Sequence, residues 1–350
     1  MAVTLQRSGQ KLRLKPNVAV IGCGLMGRRR AAFAKASGAK VTRVVDIESS
    51  RAEELAESLG TKADAHWEKV IRSRELDIVI VSTVNRDLAS ISLAALQAGK
   101  HVLCEKPAAG SAKELAIVVE QAEQNNLCFW VGYNHRYHPA IWKAKELFEK
   151  GTIGRGISIR CRYGHGGRKN YDQEWRTNQE LALGGVLLDQ GVHVVDLCRW
   201  FFGEFAEVSG KVSTDFWPIA PLEDNAWGLL RTTEGRTAMF HNSWTQWRNL
   251  FSFELLGREG LLIVEGLGAS YGTERLTVWK RKKHFGVPDL LLDEEYTGED
   301  RSWELEWGEF VQAIEQKGEG LSVSGREGVE VLHMIEAIYE SSKKGRVIPL

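Results

Sequence analysis

Short β-branched apolar runs alternate with mixed, helix-forming stretches through residue 133 of this 350-residue chain. Asn17-Val18-Ala19-Val20-Ile21 is an apolar run of the kind a strand buried on both faces requires. It passes into Gly22-Cys23-Gly24-Leu25-Met26-Gly27, after which Arg28 to Ser37 reads as a helix. Val41 to Val45 is a second strand ending on Asp46, and a helical stretch rich in Ala, Glu and Leu opens there and runs to Leu59. Asp77 to Val81 and His101 to Cys104 are further strands, with a helix from Leu88 to Ala98 between them. Ser111-Ala112-Lys113-Glu114 has capping-box spacing and opens a helix to about Asn125. Strand and helix alternating in this way predict a doubly wound parallel sheet.

Beyond residue 138 the rhythm changes. A helix from Ala140 to Lys150 is stopped by Gly151, Gly156 to Tyr163 reads as a strand, and Gly185 to Phe202 as a long helix. From Val208 to Trp279, strand-like runs are joined by turns such as Glu234-Gly235 and Arg258-Glu259-Gly260, which predict a largely antiparallel sheet. A late helical stretch, Gly328 to Lys343, follows. The pattern is α/β: a Rossmann-type half over 1–138, then an α+β half over 139–325.

Composition changes this picture little. Lys+Arg and Asp+Glu number 46 each, so no net charge draws the chain to nucleic acid or an anionic membrane. No apolar run approaches the roughly 18 residues of a membrane span. Met1 to Pro16 is polar and basic, unlike a signal peptide. Cys23, Cys104, Cys128, Cys161 and Cys198 are odd in number and lack any CxxC, which argues against disulfides and against a metal site. Buried thiols in a reducing compartment are expected, hence a cytoplasmic protein. Of 12 Trp only Trp67 and Trp130 precede residue 140, so the two halves are expected to do different work.

The glycine-rich turn carries the first chemistry. Gly22 permits a tight turn, Gly24 lets backbone approach a pyrophosphate, and Gly27 allows close helix–strand packing. The following helix N-terminus offers free N–H groups to phosphates. Asp46, nineteen residues after Gly27, is suited to accept from ribose hydroxyls, and its charge disfavours a 2′-phosphate, so NAD is expected over NADP. Arg28-Arg29-Arg30 oppose the helix dipole unless an anion is near; they either flank a pyrophosphate or form an exposed face.

The second chemistry lies on Gly185 to Phe202. At about 100° per residue, Asp189, His193 and Asp196 share a stripe roughly 60° wide on an otherwise apolar helix. A carboxylate beside an imidazole at i,i+4 would raise its basicity and orient it for proton transfer; the plainer reading is a core histidine satisfied by its neighbour. Lys106 lies just past a strand end, where open α/β sheets bind ligands, and Asn134-His135-Arg136 follows another. Trp175-Arg176 and Tyr163-Gly164-His165-Gly166-Gly167 could shape a pocket, though each also has a structural reading.

Together these segments resemble the Gfo/Idh/MocA family of oxidoreductases, which includes glucose–fructose oxidoreductase and inositol dehydrogenase, over nearly the whole chain. The resemblance rests on Val18 to Gly27, Thr83-Val84-Asn85, Glu105-Lys106-Pro107, Asn134-His135-Arg136, Trp175-Arg176 and the block Gly184 to Asp196. It implies an open, mostly antiparallel sheet in the second domain, whose exposed face joins subunits into a homodimer or homotetramer. The helix within 326–345 would pack back on the first domain.

By resemblance, Gly22, Gly24, Leu25, Met26, Gly27, Asp46, Ile47, Thr83, Asn85, Glu105, Lys106 and Asn134 hold the cofactor. Lys106, Arg136, Tyr163, Trp175, Arg176, Asp189 and His193 line the substrate. Lys106 would bind the reacting oxygen, Asp189 orient substrate and His193, and His193 act as acid/base, while the nicotinamide exchanges hydride with a sugar carbon. Where many members read Thr-Pro-Asn-x-x-His, this chain has Thr83-Val84-Asn85-Arg86-Asp87-Leu88. The function implied is NAD(P)-dependent oxidoreduction at a secondary hydroxyl or ketone of a sugar, cyclitol or nucleotide-linked sugar. A non-sugar substrate such as a trans-dihydrodiol is one alternative. A non-catalytic dinucleotide- or sugar-sensing regulator is another, against which the retained Lys106, Asp189 and His193 argue. Aromatic faces suit sugar rings, and Trp175, Trp244 and Trp247 are the candidates for stacking.

Overall fold

The computed structural model describes residues 14–316 and 325–350. Most of the polar amino-terminal stretch, and residues 317–324 of the second half, therefore lie outside the described residues. Strands β1 (Asn17–Ile21), β2 (Lys40–Val45), β3 (Lys62–Asp64), β4 (Ile78–Val81), β5 (His101–Glu105) and β6 (Phe129–Gly132) form one parallel sheet in the order β3-β2-β1-β4-β5-β6. This is the doubly wound Rossmann order, with its ligand crevice where the winding reverses between β1 and β4. Every residue of β4 is buried, because helices cover both faces of the sheet. The edge strand β3 escaped the sequence reading because it is three residues long, polar and largely exposed.

Local signals set the helix boundaries. The helix after β2 begins at Ser49 rather than at Asp46, because the Asp46 carboxylate accepts the Glu48 N–H (2.9 Å) and holds an intervening turn. Ser111 caps the helix Ala112–Gln124 by accepting the Glu114 N–H (3.2 Å). The reciprocal arm differs from a standard box: Glu114 Oε2 accepts from the Gly110 N–H (2.8 Å).

The second sheet contains β7 (Gly156–Gly164), β8 (Glu207–Ser213), β9 (Asn225–Arg231), β10 (Thr237–Ser243), β11 (Leu250–Gly257), β12 (Gly260–Glu265), β13 (Glu274–Lys280), β14 (Asp289–Tyr296) and β15 (Ile348–Pro349). Their order is β14-β13-β12-β11-β7-β10-β9-β8-β15, with β7 and β10 parallel and the other pairs antiparallel. The helices Pro139–Glu149 and Val192–Phe202 pack on one face. Trp227, Leu229 and Met239 are exposed on the other.

Two helices tie the sheets together. Gly325–Lys344 packs on Ala112–Gln124, on Val192–Phe202 and on β8, so it bridges both halves. Ser302–Glu315, which the sequence reading passed over, lies against the first helix, Leu25–Ala36, and against the turn Asn134–Tyr137. The expected continuous helix from Gly185 is instead a π-helical turn, Leu187–Gly191, followed by Val192–Phe202. Among the described residues one helical span, Gln179–Phe202, is long and apolar enough to cross a membrane; 83% of its apolar window is buried, as in a core helix.

Candidate active site

The glycine turn sits at the crevice and is shaped by close contacts. Gly22 has φ +96°, and a Cβ there would lie 2.4 Å from the Ser82 carbonyl oxygen. A Cβ on Gly27 would lie 1.8 Å from the Gly22 carbonyl oxygen, whereas one on Gly24 would meet nothing within 4 Å. Gly24 therefore leaves open space just where the helix Leu25–Ala36 begins without a side-chain cap, so its first-turn N–H groups can take an anion. Asp46 closes the turn: Oδ2 accepts from the Cys23 N–H (2.7 Å) and Oδ1 from Glu48. Each oxygen keeps a lone pair for a ribose hydroxyl. Leu25 and Ile47 are exposed beside it, Ile47 almost completely (97%). The open cradle, uncapped helix and flanking acid fit a dinucleotide.

The arginine run resolves in neither expected way at its key position. Arg28 pairs with Glu54 (2.6 Å) and Arg29 is exposed, but Arg30 is buried. Its guanidinium bonds Glu105 Oε1 (2.7 Å), pairs with Glu306 and stacks 4.5 Å from the Trp303 ring. Gly132 makes the space, since a Cβ there would lie 2.4 Å from Arg30 Nη2. Burial pushes the Glu306 carboxyl up to about 7 even against the pull of Arg30. Glu105, expected to touch cofactor, is thereby spent on Arg30, and the strand end carrying Lys106 is anchored.

Lys106 extends from the carboxyl end of β5, as ligand-binding residues of such sheets do. Its Nζ donates to the Asp189 carbonyl (2.6 Å) and to Asp189 Oδ1 (2.7 Å). Arg176 Nε lies 3.8 Å from Asp189 Oδ2. Burial alone would raise the Asp189 carboxyl, but Lys106 and then Arg176 outweigh it and hold it at about 2. The carboxylate thus stays ionised between two cations.

This overturns the expected Asp189–His193 couple. No hydrogen bond joins the two, because the carboxylate faces cations that attract it more strongly than a neutral ring does. The His193 ring instead stacks on His135, with centroids 3.8 Å apart and planes at 13°. Burial, then the nearby Lys106 charge, drives His193 well below the usual imidazole value, opposite to the expected rise in basicity. Its Nδ1 is buried without a protein partner. His193 is a neutral imidazole with acceptor capacity to spare.

Several expected residues have structural tasks. Arg136 is buried and forms a two-pronged pair with Asp196 (2.5 and 2.9 Å), so the predicted substrate contact is withdrawn and Asp196 leaves the polar stripe. Asn134 donates to Ser302 (2.9 Å) and accepts from His135 Nδ1 (3.3 Å), which occupies its amide within the protein. Asn85 donates to the Ala182 carbonyl (2.8 Å), making the departing Thr83-Val84-Asn85 segment a strut to the second half. Trp244 is fully buried, so it stacks on no ligand.

The remaining candidates gather around Asp189. Trp175 lies under the Arg176 guanidinium at 4.6 Å. The Tyr163 and Tyr271 rings are 4.9 Å apart, and Gln190 Nε2 donates to the Tyr271 hydroxyl (3.1 Å). His165 Nδ1 accepts from the Gly167 N–H (2.9 Å), and burial lowers its proton affinity. Tyr271, Gln190, Tyr171 and Glu306 were not singled out from sequence. Gln190 lay inside the quoted block, but the others stand in segments without a motif.

Comparisons with known proteins agree with this fold. Residues 16–133 match the oxidoreductase family with an NAD-binding Rossmann fold, and 141–263 match the GFO/IDH/MocA C-terminal domain. A levoglucosan dehydrogenase of Pseudarthrobacter phenanthrenivorans is 32% identical over 232 residues, which cover 63% of this chain and 59% of the relative. The chain thus spans under two thirds of that relative's length. A 1,5-anhydro-D-fructose reductase of Ensifer adhaerens is 28% identical over 314 residues, covering 89% of this chain and 91% of that one. A solved levoglucosan dehydrogenase in complex with NADH and levoglucosan superposes with a TM-score of 0.86 at 25% identity, over 96% of this chain and 99% of that one. The chain belongs to the GFO/IDH/MocA family of oxidoreductases, with an NAD-binding Rossmann fold.

Proposed function

We propose that the protein is an NAD-dependent dehydrogenase or reductase that moves hydride between nicotinamide and a secondary hydroxyl or ketone of a sugar or cyclitol. The observation that carries this reading is the Lys106–Asp189 pair at the carboxyl end of β5, on the same edge of the parallel sheet as the glycine turn after β1 and with neutral His193 close by. A lysine ammonium has three donors. Two are spent on Asp189, leaving one for the oxygen of the reacting carbon. His193, uncharged at neutral pH, takes the hydroxyl proton as the alcohol is oxidised and returns it in the reverse direction. Asp189 stays ionised and balances Lys106, while Arg176 and Trp175 orient the remaining hydroxyls. When bound, the nicotinamide supplies the hydride acceptor or donor. Gly22, Gly24, Leu25, Met26 and Gly27 would carry its pyrophosphate, Asp46 and Ile47 its adenosine, and Thr83 its nicotinamide half; Asp46 favours NAD over NADP.

The Rossmann unit in this reading is 1–138 with the helix of 326–345, and the substrate unit is 139–325. The exposed Trp227, Leu229 and Met239 support a homodimer or homotetramer through the large sheet. Five buried free thiols support a cytoplasmic setting. The test is nicotinamide absorbance with NAD and a panel that includes levoglucosan and myo-inositol. Reduction by at least one polyol is expected, and His193→Gln is expected to lower kcat by about 10²–10⁴ with NAD affinity kept. Tight NAD binding without turnover of any polyol would return the sensing regulator in place of the enzyme.

A further inference from the structure

From Asp189 a line of aromatic rings runs outward to solvent. His165, which lies in the field of the Asp189 carboxylate, meets Tyr171 edge-on at 5.4 Å. Tyr171 tilts against Trp217 at 5.5 Å, Trp217 meets Phe216 at 5.3 Å, and Phe216 meets Trp247 edge-to-face at 4.8 Å. Exposure rises along this path, from 1% at Tyr171 to 59% at Phe216 and 66% at Trp247.

The two outer rings are exposed, and the backbone that carries Phe216 is held. The Asp224 carboxylate accepts the N–H groups of Asp215, Phe216 and Trp217, each at 2.8 Å, and Trp217 Nε1 donates to the Trp244 carbonyl (3.0 Å). The wall between them and His165 is glycine: a Cβ on Gly166 would lie 3.1 Å from Trp247, and one on Gly167 2.5 Å from Trp217. A backbone fixed in this way need not be ordered when something covers the ring it carries. Where the path turns inward, the Tyr171 hydroxyl is buried without a protein partner, a polar atom that a ligand hydroxyl or water would satisfy.

We propose that Phe216 and Trp247 form a second sugar subsite, so that the substrates of this site are disaccharides or glycosides whose non-reacting ring stacks on Trp247. The proposal rests on the sugar reading of the Lys106–Asp189 site. A pyranose ring presents an apolar C–H face with a polar rim. That matches two aromatic faces flanked by the exposed Arg168, Lys169, Asp215 and Arg248. The patch is two rings wide, small beside the roughly 800 Å² per partner of a stable protein interface. It continues the aromatic path from Asp189, and neither ring belongs to a strand of the large sheet, where Trp227, Leu229 and Met239 are exposed.

Ligand-observed saturation-transfer NMR on the NAD-loaded protein tests this, with methyl glycosides set against cellobiose, maltose and lactose. At least one disaccharide is expected to bind about tenfold more tightly than its methyl glycoside. Trp247→Ala is expected to abolish that advantage and leave the methyl glycoside unchanged, with Phe216→Leu in between. The proposal is overturned by equal loss for both ligand sizes, by no advantage in the wild type, or by no binding of any disaccharide. It is also overturned if Trp247→Ala changes the sedimentation-derived oligomeric state, which would make the rings a protein interface. Disaccharide binding that depends on Trp247 without nicotinamide turnover would uphold the subsite and sink the hydride-transfer reading alone.

Discussion

Lys106→Met removes one cation from the site and keeps the length and apolar bulk of the side chain. The Asp189 carboxyl, ordinarily near 3.8, sits at about 2, with burial opposing and Lys106 the largest favourable influence. A tenfold change in proton affinity corresponds to about 1.4 kcal/mol, so the ionised carboxylate contributes about 2 kcal/mol of stability at neutral pH. The folded value is depressed, so this contribution is fully present above about pH 4 and is lost as pH falls towards 2. In the variant Asp189 keeps only Arg176, 3.8 Å away, as a close cation. Urea unfolding at neutral pH is therefore expected to find the variant about 2 kcal/mol less stable, with the gap narrowing as pH drops from about 4 towards 2. NAD binding should persist, which distinguishes a local charge effect from misfolding. Equal stability of the two proteins at neutral pH, or a gap that stays constant on acidification, would refute the assignment of Lys106 as the cation that keeps Asp189 ionised.

Asp46→Asn retains one acceptor oxygen for the turn but removes the charge; NAD should bind more weakly and its preference over NADP should narrow, read by titration of both cofactors. An unchanged ratio would take Asp46 out of cofactor selection. Arg136→Met alone strands the buried Asp196 carboxylate and is expected to cost about 3–5 kcal/mol in denaturant unfolding. Adding Asp196→Leu should recover most of that loss, because an apolar pair of similar bulk carries no unpaired charge. A double variant as unstable as the single would point to a role other than charge pairing.

What the sequence alone determined lies where neighbours in the chain are neighbours in space. The β1 run, Gly22-x-Gly24-x-x-Gly27 and Asp46 form one local unit, so apolar periodicity and spacing sufficed to place the nucleotide turn and the parallel sheet. The Glu105-Lys106-Pro107 and Gly184 to Asp196 segments were legible as motifs, but their partners were not. Lys106 reaches Asp189 across 83 residues, Arg136 reaches Asp196 across 60, and Arg30 reaches Glu306 across 276. A side chain's charge partner in a low-dielectric interior is set by which elements pack together, and helical periodicity carries no information on that. Tertiary structure alone therefore decided that Arg30 and Arg136 are structural, that Asp189 answers to Lys106, and that His193 stacks neutral on His135. The tryptophan-rich second half was visible in composition. Packing decided that Trp244 is core and that Trp247 stands open at the end of the path leading from Asp189.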